Sequence, residues 1–149
     1  MSADLIFSIC NSAVLPGWLL LIVLPKWKWT LALISTVIIP FGLGLVYVGL
    51  FISQASNFPE GGGLGSLEAL IITFANPYIL TAAWIHYLAF DLFVGAWEVG
   101  DAQKQGISHW LVIPCLVLTF MAGPTGLALY FILRFAMTKK ILLVAPASA

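Results

Sequence analysis

Long apolar runs separated by short polar breaks organise the whole chain. Crossing about 30 Å of hydrocarbon takes about 20 helical residues, and four runs are long enough to do so. The predicted spans cover about residues 5–24, 30–52, 79–101 and 109–135. Inside hydrocarbon every backbone N–H and C=O must be paired, so runs this long and uniformly apolar favour helices over barrel strands. The sequence therefore predicts an all-α polytopic membrane bundle of about four transmembrane helices, forming one domain over residues 1–149.

The breaks between the runs carry interface and turn residues. Residues 26–29 read Lys-Trp-Lys-Trp, and lysine next to tryptophan is typical of a membrane interface. A polar, glycine-rich break at residues 53–65 follows the second run, and residues 66–74 are expected to form a short amphipathic or re-entrant helix. Pro124 lies inside the fourth run, where a proline removes one hydrogen bond and predicts a kink.

Composition and charge support a bilayer as the solvent. Of the 149 residues, 62% are hydrophobic and 8% are charged, whereas roughly a quarter of an ordinary globular domain is charged. The net charge is zero and basic runs are absent, so nucleic acid is not an expected partner. Four spans would put Lys26, Lys28 and Lys104 on one membrane face and Lys139 and Lys140 on the other. The numbers of basic residues on the two faces are so similar that the positive-inside rule barely decides the orientation.

Polar residues gather on the third predicted span. At about 100° per residue, Tyr87, Asp91, Glu98 and Asp101 fall within an arc of roughly 80°, and His86 lies roughly 60° beyond Asp101. A charge in mid-bilayer costs at least about 2.5–3.5 kcal/mol, so such residues face the bundle interior and mark functional sites by default. We therefore expect any chemistry of this protein to lie on the third helix.

Depth divides these residues into two candidate groups, because the rise from His86 to Asp101 is about 22 Å. The first group, near mid-membrane, contains Asn11, His86, Asp91 and Arg134. The second, near one membrane face, contains Glu98, Asp101 and His109. A purely structural interpretation is also open, in which Arg134 pairs with Asp91 to lock the bundle.

Either group offers mixed histidine and carboxylate ligands, which suit iron, manganese or zinc. The candidate ligands of such a divalent metal are His86, Asp91, Glu98, Asp101 and His109. A buried carboxyl group beside a histidine is equally suited to general acid–base catalysis without a metal. The sharp metal motifs, such as H-E-x-x-H, are absent from the sequence, so both interpretations stay open.

One block of the third span resembles a known family of membrane proteins. The block reads Trp84-x-His86-Tyr87-x-Ala89-Phe90-Asp91-Leu92-Phe93, followed by Gly95-x-Trp97 and Asp101. It is similar to the neoxanthin-synthase-type family, which is named for plant mutants deficient in abscisic acid. The resemblance extends over nearly the whole chain, including Gly123-Pro124-x-Gly126-Leu127 with Tyr130 and Arg134, and more weakly Asn11, Ala13, Trp18 and Pro25.

The resemblance implies carotenoid metabolism. Plant members are required for converting violaxanthin to neoxanthin, a reaction in which an epoxide opens and an allene forms. It implies Asp91 and His86 as acid and base, with Tyr87 and Arg134 orienting them. Asn11, Trp84 and Trp97 are candidates for substrate binding. A member in a bacterial plasma or thylakoid membrane is expected to act on a carotenoid by isomerisation, or by metal-dependent oxidation or cleavage.

Two other classes of function fit the same residues. A non-catalytic pigment- or lipid-binding scaffold would use the groove beside the third helix without acid–base chemistry. A small proton-coupled exporter would also need a membrane-embedded carboxylate. In the carotenoid interpretation we expect a homo-oligomer, because one copy encloses too little volume to bury a long polyene.

Overall fold

The computed structural model describes residues 1–143, and helices are the only regular secondary structure within them. Six helices follow one another: α1 (Ala3–Val23), α2 (Thr30–Ser53), α3 (Leu67–Phe74), α4 (Pro77–Gln105), α5 (His109–Ala122) and α6 (Pro124–Thr138). The predicted all-α membrane bundle is therefore confirmed, as is the short helix between the second and third spans.

Three helices, α1, α2 and α4, are long and apolar enough to cross a membrane. The first nine residues of α2, Thr30–Ile38, form a π-helix, in which the Thr36 hydroxyl donates to the Leu31 carbonyl at 2.7 Å. Helix α4 packs against each of the other helices. A residue on α4 therefore faces a different neighbour according to its position around the helix.

Helix α4 is longer than the predicted span 79–101 because both of its ends are capped. The Asn76 side-chain oxygen accepts hydrogen bonds from the backbone N–H groups of Tyr78 and Ile79, and Pro77 occupies the first turn. At the other end Gly106 takes the left-handed conformation, with φ 71°, that closes many helices. These caps extend the helix to 29 residues and place Asp91 at its midpoint.

The predicted fourth span, 109–135, does not form one continuous helix, because this segment folds into a hairpin of two shorter helices. Helices α5 and α6 contain 14 and 15 residues, or about 21 and 22 Å each, which is too short to cross about 30 Å of hydrocarbon. The chain reverses at Gly123-Pro124, and a Cβ atom on Gly126 would overlap the backbone of Thr119 across the hairpin. The glycine lets the two helices approach closely, so the expected kink becomes a full reversal.

Contacts along α4 show that both ends of the hairpin lie at the same end of the bundle. The His109 ring, at the start of α5, lies 2.9 Å from the Ile22 carbonyl near the end of α1. The turn at Gly123 reaches Asp91, and α6 then returns toward the end of α4.

This reversal corrects the expected distribution of basic residues. Lys26, Lys28, Lys104, Lys139 and Lys140 all lie at one end of the bundle, which we call the lysine face. The opposite end, the amino-terminal face, carries the start of α1, the glycine-rich connection and α3.

Candidate functional site

The polar residues of α4 face the hairpin. Asp91 lies against the turn, Glu98 contacts α5, and Asp101 contacts α6. We call these three carboxyl groups, together with Tyr87, the acidic stripe. The predicted arc of polar residues thus corresponds to one packed surface, and α5 and α6 supply its partners.

Asp91 occupies the middle of the membrane-spanning helix, where the hairpin turns. A Cβ atom added to Gly123 would lie 2.7 Å from one carboxyl oxygen of Asp91, so only glycine leaves room for this side chain. The other oxygen, Oδ2, is buried and has no hydrogen-bond partner among residues 1–143. Tyr87 lies one turn earlier on the same face of α4. Asp91 therefore lies half-buried at the hairpin turn, with one of its two oxygens unpaired among residues 1–143.

Glu98 is the most enclosed carboxyl group of the stripe, with no exposed surface. Its Oε1 atom accepts a hydrogen bond from the Thr119 hydroxyl at 3.0 Å. Its Oε2 atom has no partner within the described part of the chain. Burying a polar atom without a hydrogen-bond partner costs free energy of folding. Glu98 is therefore an unfavourable residue for the stability of the core at this position.

Asp101 belongs to a closed ion-pair network. Its Oδ2 atom accepts hydrogen bonds from the Tyr130 hydroxyl and from Arg134 Nε, both at 2.7 Å. The Arg134 side chain also donates to the backbone carbonyl oxygens of Lys140 and Leu142. Arg134 is 2% exposed, and its contacts fasten α6 and the following residues to α4.

The predicted mid-membrane group of Asn11, His86, Asp91 and Arg134 does not form. Arg134 pairs with Asp101 near the lysine face, because the hairpin returns α6 to that end of α4. A straight fourth span would have carried Arg134 to the opposite end of the bundle. The Asp91–Arg134 ion pair of the purely structural interpretation therefore does not form, and both residues contact other groups.

His86 also lies apart from Asp91. Five residues separate them, which turns the His86 side chain about 140° around the helix, toward α2. There the His86 ring stacks on Phe90, with centroids 4.3 Å apart, and lies 5.9 Å from the Tyr47 ring. A cavity of about 580 Å³, which we call the aromatic groove, is lined here by Pro40, Leu43, Gly44, Tyr47, Ile85, His86, Ala89, Phe90 and Phe93.

The three residues predicted to bind substrate lie at two places beside the stripe. The Trp84 indole N–H donates to the Asn11 side-chain oxygen at 3.0 Å, and the Trp84 ring stacks on Tyr87 at 5.1 Å. Trp97 packs edge-on against Tyr130 at 5.5 Å. Asn11 and Trp84 therefore lie next to Tyr87, one helical turn from Asp91. Trp97 instead packs on Tyr130, which belongs to the network around Asp101.

The predicted metal ligands do not converge. Among residues 1–143, no three histidine, cysteine, aspartate or glutamate side chains are grouped so that they could hold a metal ion. His109 lies beside the Ile22 carbonyl, and Asp101 is held by Arg134. The prediction of a mixed site of Glu98, Asp101 and His109 is thus wrong, because the three side chains have separate partners.

Sequence reasoning missed the hairpin residues that complete the site. Thr119, which bonds Glu98, and Gly123, which contacts Asp91, lie in a segment that reads as one more apolar span. The available signal was the group Gly123-Pro124-x-Gly126, which predicted a kink but no reversal.

Comparison with known proteins places the chain in a family. The profile of the ABA DEFICIENT 4-like family matches residues 5–130, which include the stripe and the hairpin turn. Over 139 residues the chain is 28% identical to the Arabidopsis thaliana protein ABA DEFICIENT 4, chloroplastic. The alignment covers 89% of this chain and 61% of that relative, so the chain spans about three fifths of its length. No solved structure matches the chain. Because the family profile covers well over half of the sequence, the chain belongs to the ABA DEFICIENT 4-like family.

Proposed function

We propose that this protein is a carotenoid-modifying integral membrane enzyme, a xanthophyll isomerase of the neoxanthin-synthase type. The observation that carries the proposal is Asp91, a half-buried carboxyl group at the midpoint of α4 whose Oδ2 atom is buried and unpartnered among residues 1–143. Family membership and the apolar spanning helices support an apolar substrate that reaches the site through the bilayer. A plasma or thylakoid membrane provides such a substrate.

Opening an epoxide to an allene needs only the transfer of a proton from carbon to oxygen. Asp91 in its acid form donates a proton to the epoxide oxygen as the carbon–oxygen bond breaks. The resulting carboxylate then removes a proton from the adjacent carbon, so the allene forms and the acid is restored. Atoms and electrons balance without an oxidant. Tyr87, one turn away, is placed to orient the oxygen.

This assignment revises the role of His86. Because His86 faces the aromatic groove, it does not act as the base beside Asp91 in our proposal. It binds the apolar part of the substrate with Tyr47 and Phe90, whose rings lie within 6 Å of its own. No metal step is included, since the described residues offer no group of three metal ligands.

The test is expression in a host that accumulates an epoxide-bearing carotenoid, followed by chromatography of the extracted pigments. We expect the unmodified chain to form an isomer of equal mass. Asp91→Asn should lower turnover by about 10²-fold or more, the usual contribution of general acid–base catalysis. Asp4→Asn is the matched control, because it makes the same chemical change at an exposed position near the amino terminus. Full activity of Asp91→Asn in folded protein would refute the assignment.

A second candidate, a non-catalytic pigment-binding scaffold, is favoured by the aromatic groove. The groove has a volume of about 580 Å³, and its lining contains none of the three acidic side chains of the stripe. In that case pigment should co-purify without change, Asp91→Asn should retain it, and Phe90→Ala should lose it. A homo-oligomer in which a second copy covers this groove remains a prediction.

A further inference from the structure

The basic residues of the chain are concentrated at one end of the bundle. The chain contains six lysine and arginine residues, and five of them are the lysines of the lysine face. The sixth, Arg134, is buried in its ion pair with Asp101. The opposite end carries Asp4, Glu60 and Glu68 and no lysine or arginine among the described residues. The two ends therefore present opposite charges to the two membrane surfaces.

The lysines lack acidic partners within the protein. Among residues 1–143 the single ion pair is the one between Arg134 and Asp101. Lys28 and Lys139 instead lie over the rings of Trp29 and Phe135, at 5.2 and 5.9 Å from the ring centroids. This leaves a surface of uncompensated positive charge, which attracts an anionic counterpart.

A polar cavity opens on this same surface. It has a volume of about 640 Å³ and lies between the α1–α2 connection, the end of α4 and the start of α5. Its wall includes Lys26, Gln103, Ser108, His109 and Trp110. Trp110 is 81% exposed. Trp27 and Trp29, which follow Lys26 in the sequence, are also exposed. Exposed tryptophans at a helix end are typical of the headgroup level of a bilayer.

We propose that this cavity binds the head group of an anionic phospholipid. The Lys26 ammonium group supplies the charge, and the Ser108 hydroxyl supplies a further hydrogen-bond donor for a phosphate oxygen. Leu24 and Leu111, which are next in sequence to the lining residues Pro25 and Trp110, have exposed apolar side chains that give the acyl chains a surface to follow. The lysine face is then the one that meets the anionic leaflet on the cytoplasmic or stromal side.

Native mass spectrometry of the full chain in detergent tests the proposal. The probes are phosphatidylglycerol and phosphatidylcholine with identical acyl chains, added in equal amounts. We expect the unmodified protein to retain the anionic lipid preferentially. Lys26→Gln should reduce that preference about fivefold, the effect of one lysine near a membrane surface.

Lys140→Gln is the matched control, since it removes the same charge from the same face but outside the cavity. It should keep the preference for phosphatidylglycerol. Three results would overturn the proposal: equal retention of both lipids by the unmodified protein, an unchanged preference in Lys26→Gln, or an equal loss in both variants. Circular dichroism and gel filtration of each variant verify that the lost preference does not come from unfolding.

Discussion

The two sides of α4 differ sharply although they belong to one helix. On the side that faces the hairpin, Glu98 and Asp101 are buried and bonded to Thr119, Tyr130 and Arg134. On the side that faces α2, aromatic rings border an open cavity. Neighbouring positions fall on opposite sides: Asp91 meets the hairpin turn, whereas Phe90 stacks on His86.

This difference shows how an apolar span accommodates three carboxyl groups. The hairpin brings hydroxyl and guanidinium groups to one side of α4. These groups replace part of the hydrogen bonds to water that the carboxyl groups lose when they are buried. The other side needs no such partners, because its side chains are apolar apart from His86 and Tyr47. The carboxyl groups of the stripe and the aromatic groove thus lie on different sides of the same helix.

The largest expected effect concerns the direction of the hairpin. Cys10 and Cys115 are first replaced by alanine, and single cysteines are then placed at Lys26, Glu60 or Lys139. A membrane-impermeant thiol reagent should label Lys139→Cys from the same side as Lys26→Cys, and Glu60→Cys from the other side. The outcome is all-or-none, because both ends of the hairpin lie at the lysine face. A true fourth span would instead pair Lys139→Cys with Glu60→Cys.

The next largest effect comes from breaking the ion pair on the hairpin side. Arg134→Gln leaves Asp101 charged and buried, a change that typically costs about 3–5 kcal/mol of the free energy of unfolding. His86→Gln changes a polar residue on the groove side and should alter it by less than about 0.5 kcal/mol. Thermal unfolding in detergent, followed by circular dichroism, compares the two. Similar losses would show that the two sides do not differ in how they hold their polar groups.

The sequence predicted the class of the fold and the residues of the stripe better than it predicted their partners. Apolar length identified α1, α2 and α4, and helical periodicity placed Asp91, Glu98 and Asp101 on one surface. The hairpin escaped prediction because 109–135 is apolar throughout, and hydropathy does not distinguish a crossing from a reversal. Since Arg134 was located by depth along an assumed crossing, its partner was wrong as well.

The smallest predicted effect tests how closely the two helices of the hairpin, α5 and α6, pack against each other. Gly126→Ala places a methyl group against the backbone of Thr119, whereas Gly44→Ala, in the wall of the aromatic groove, meets no atom within 4 Å. Both changes replace glycine inside a helix, so the gain in helix propensity cancels between them. We expect Gly126→Ala to be less stable than Gly44→Ala by about 1–3 kcal/mol, the usual cost of overpacking. Thermal unfolding under identical detergent conditions measures the difference. Equal stability would mean that α5 and α6 move apart at little cost in free energy, and it would contradict the close packing at Gly126.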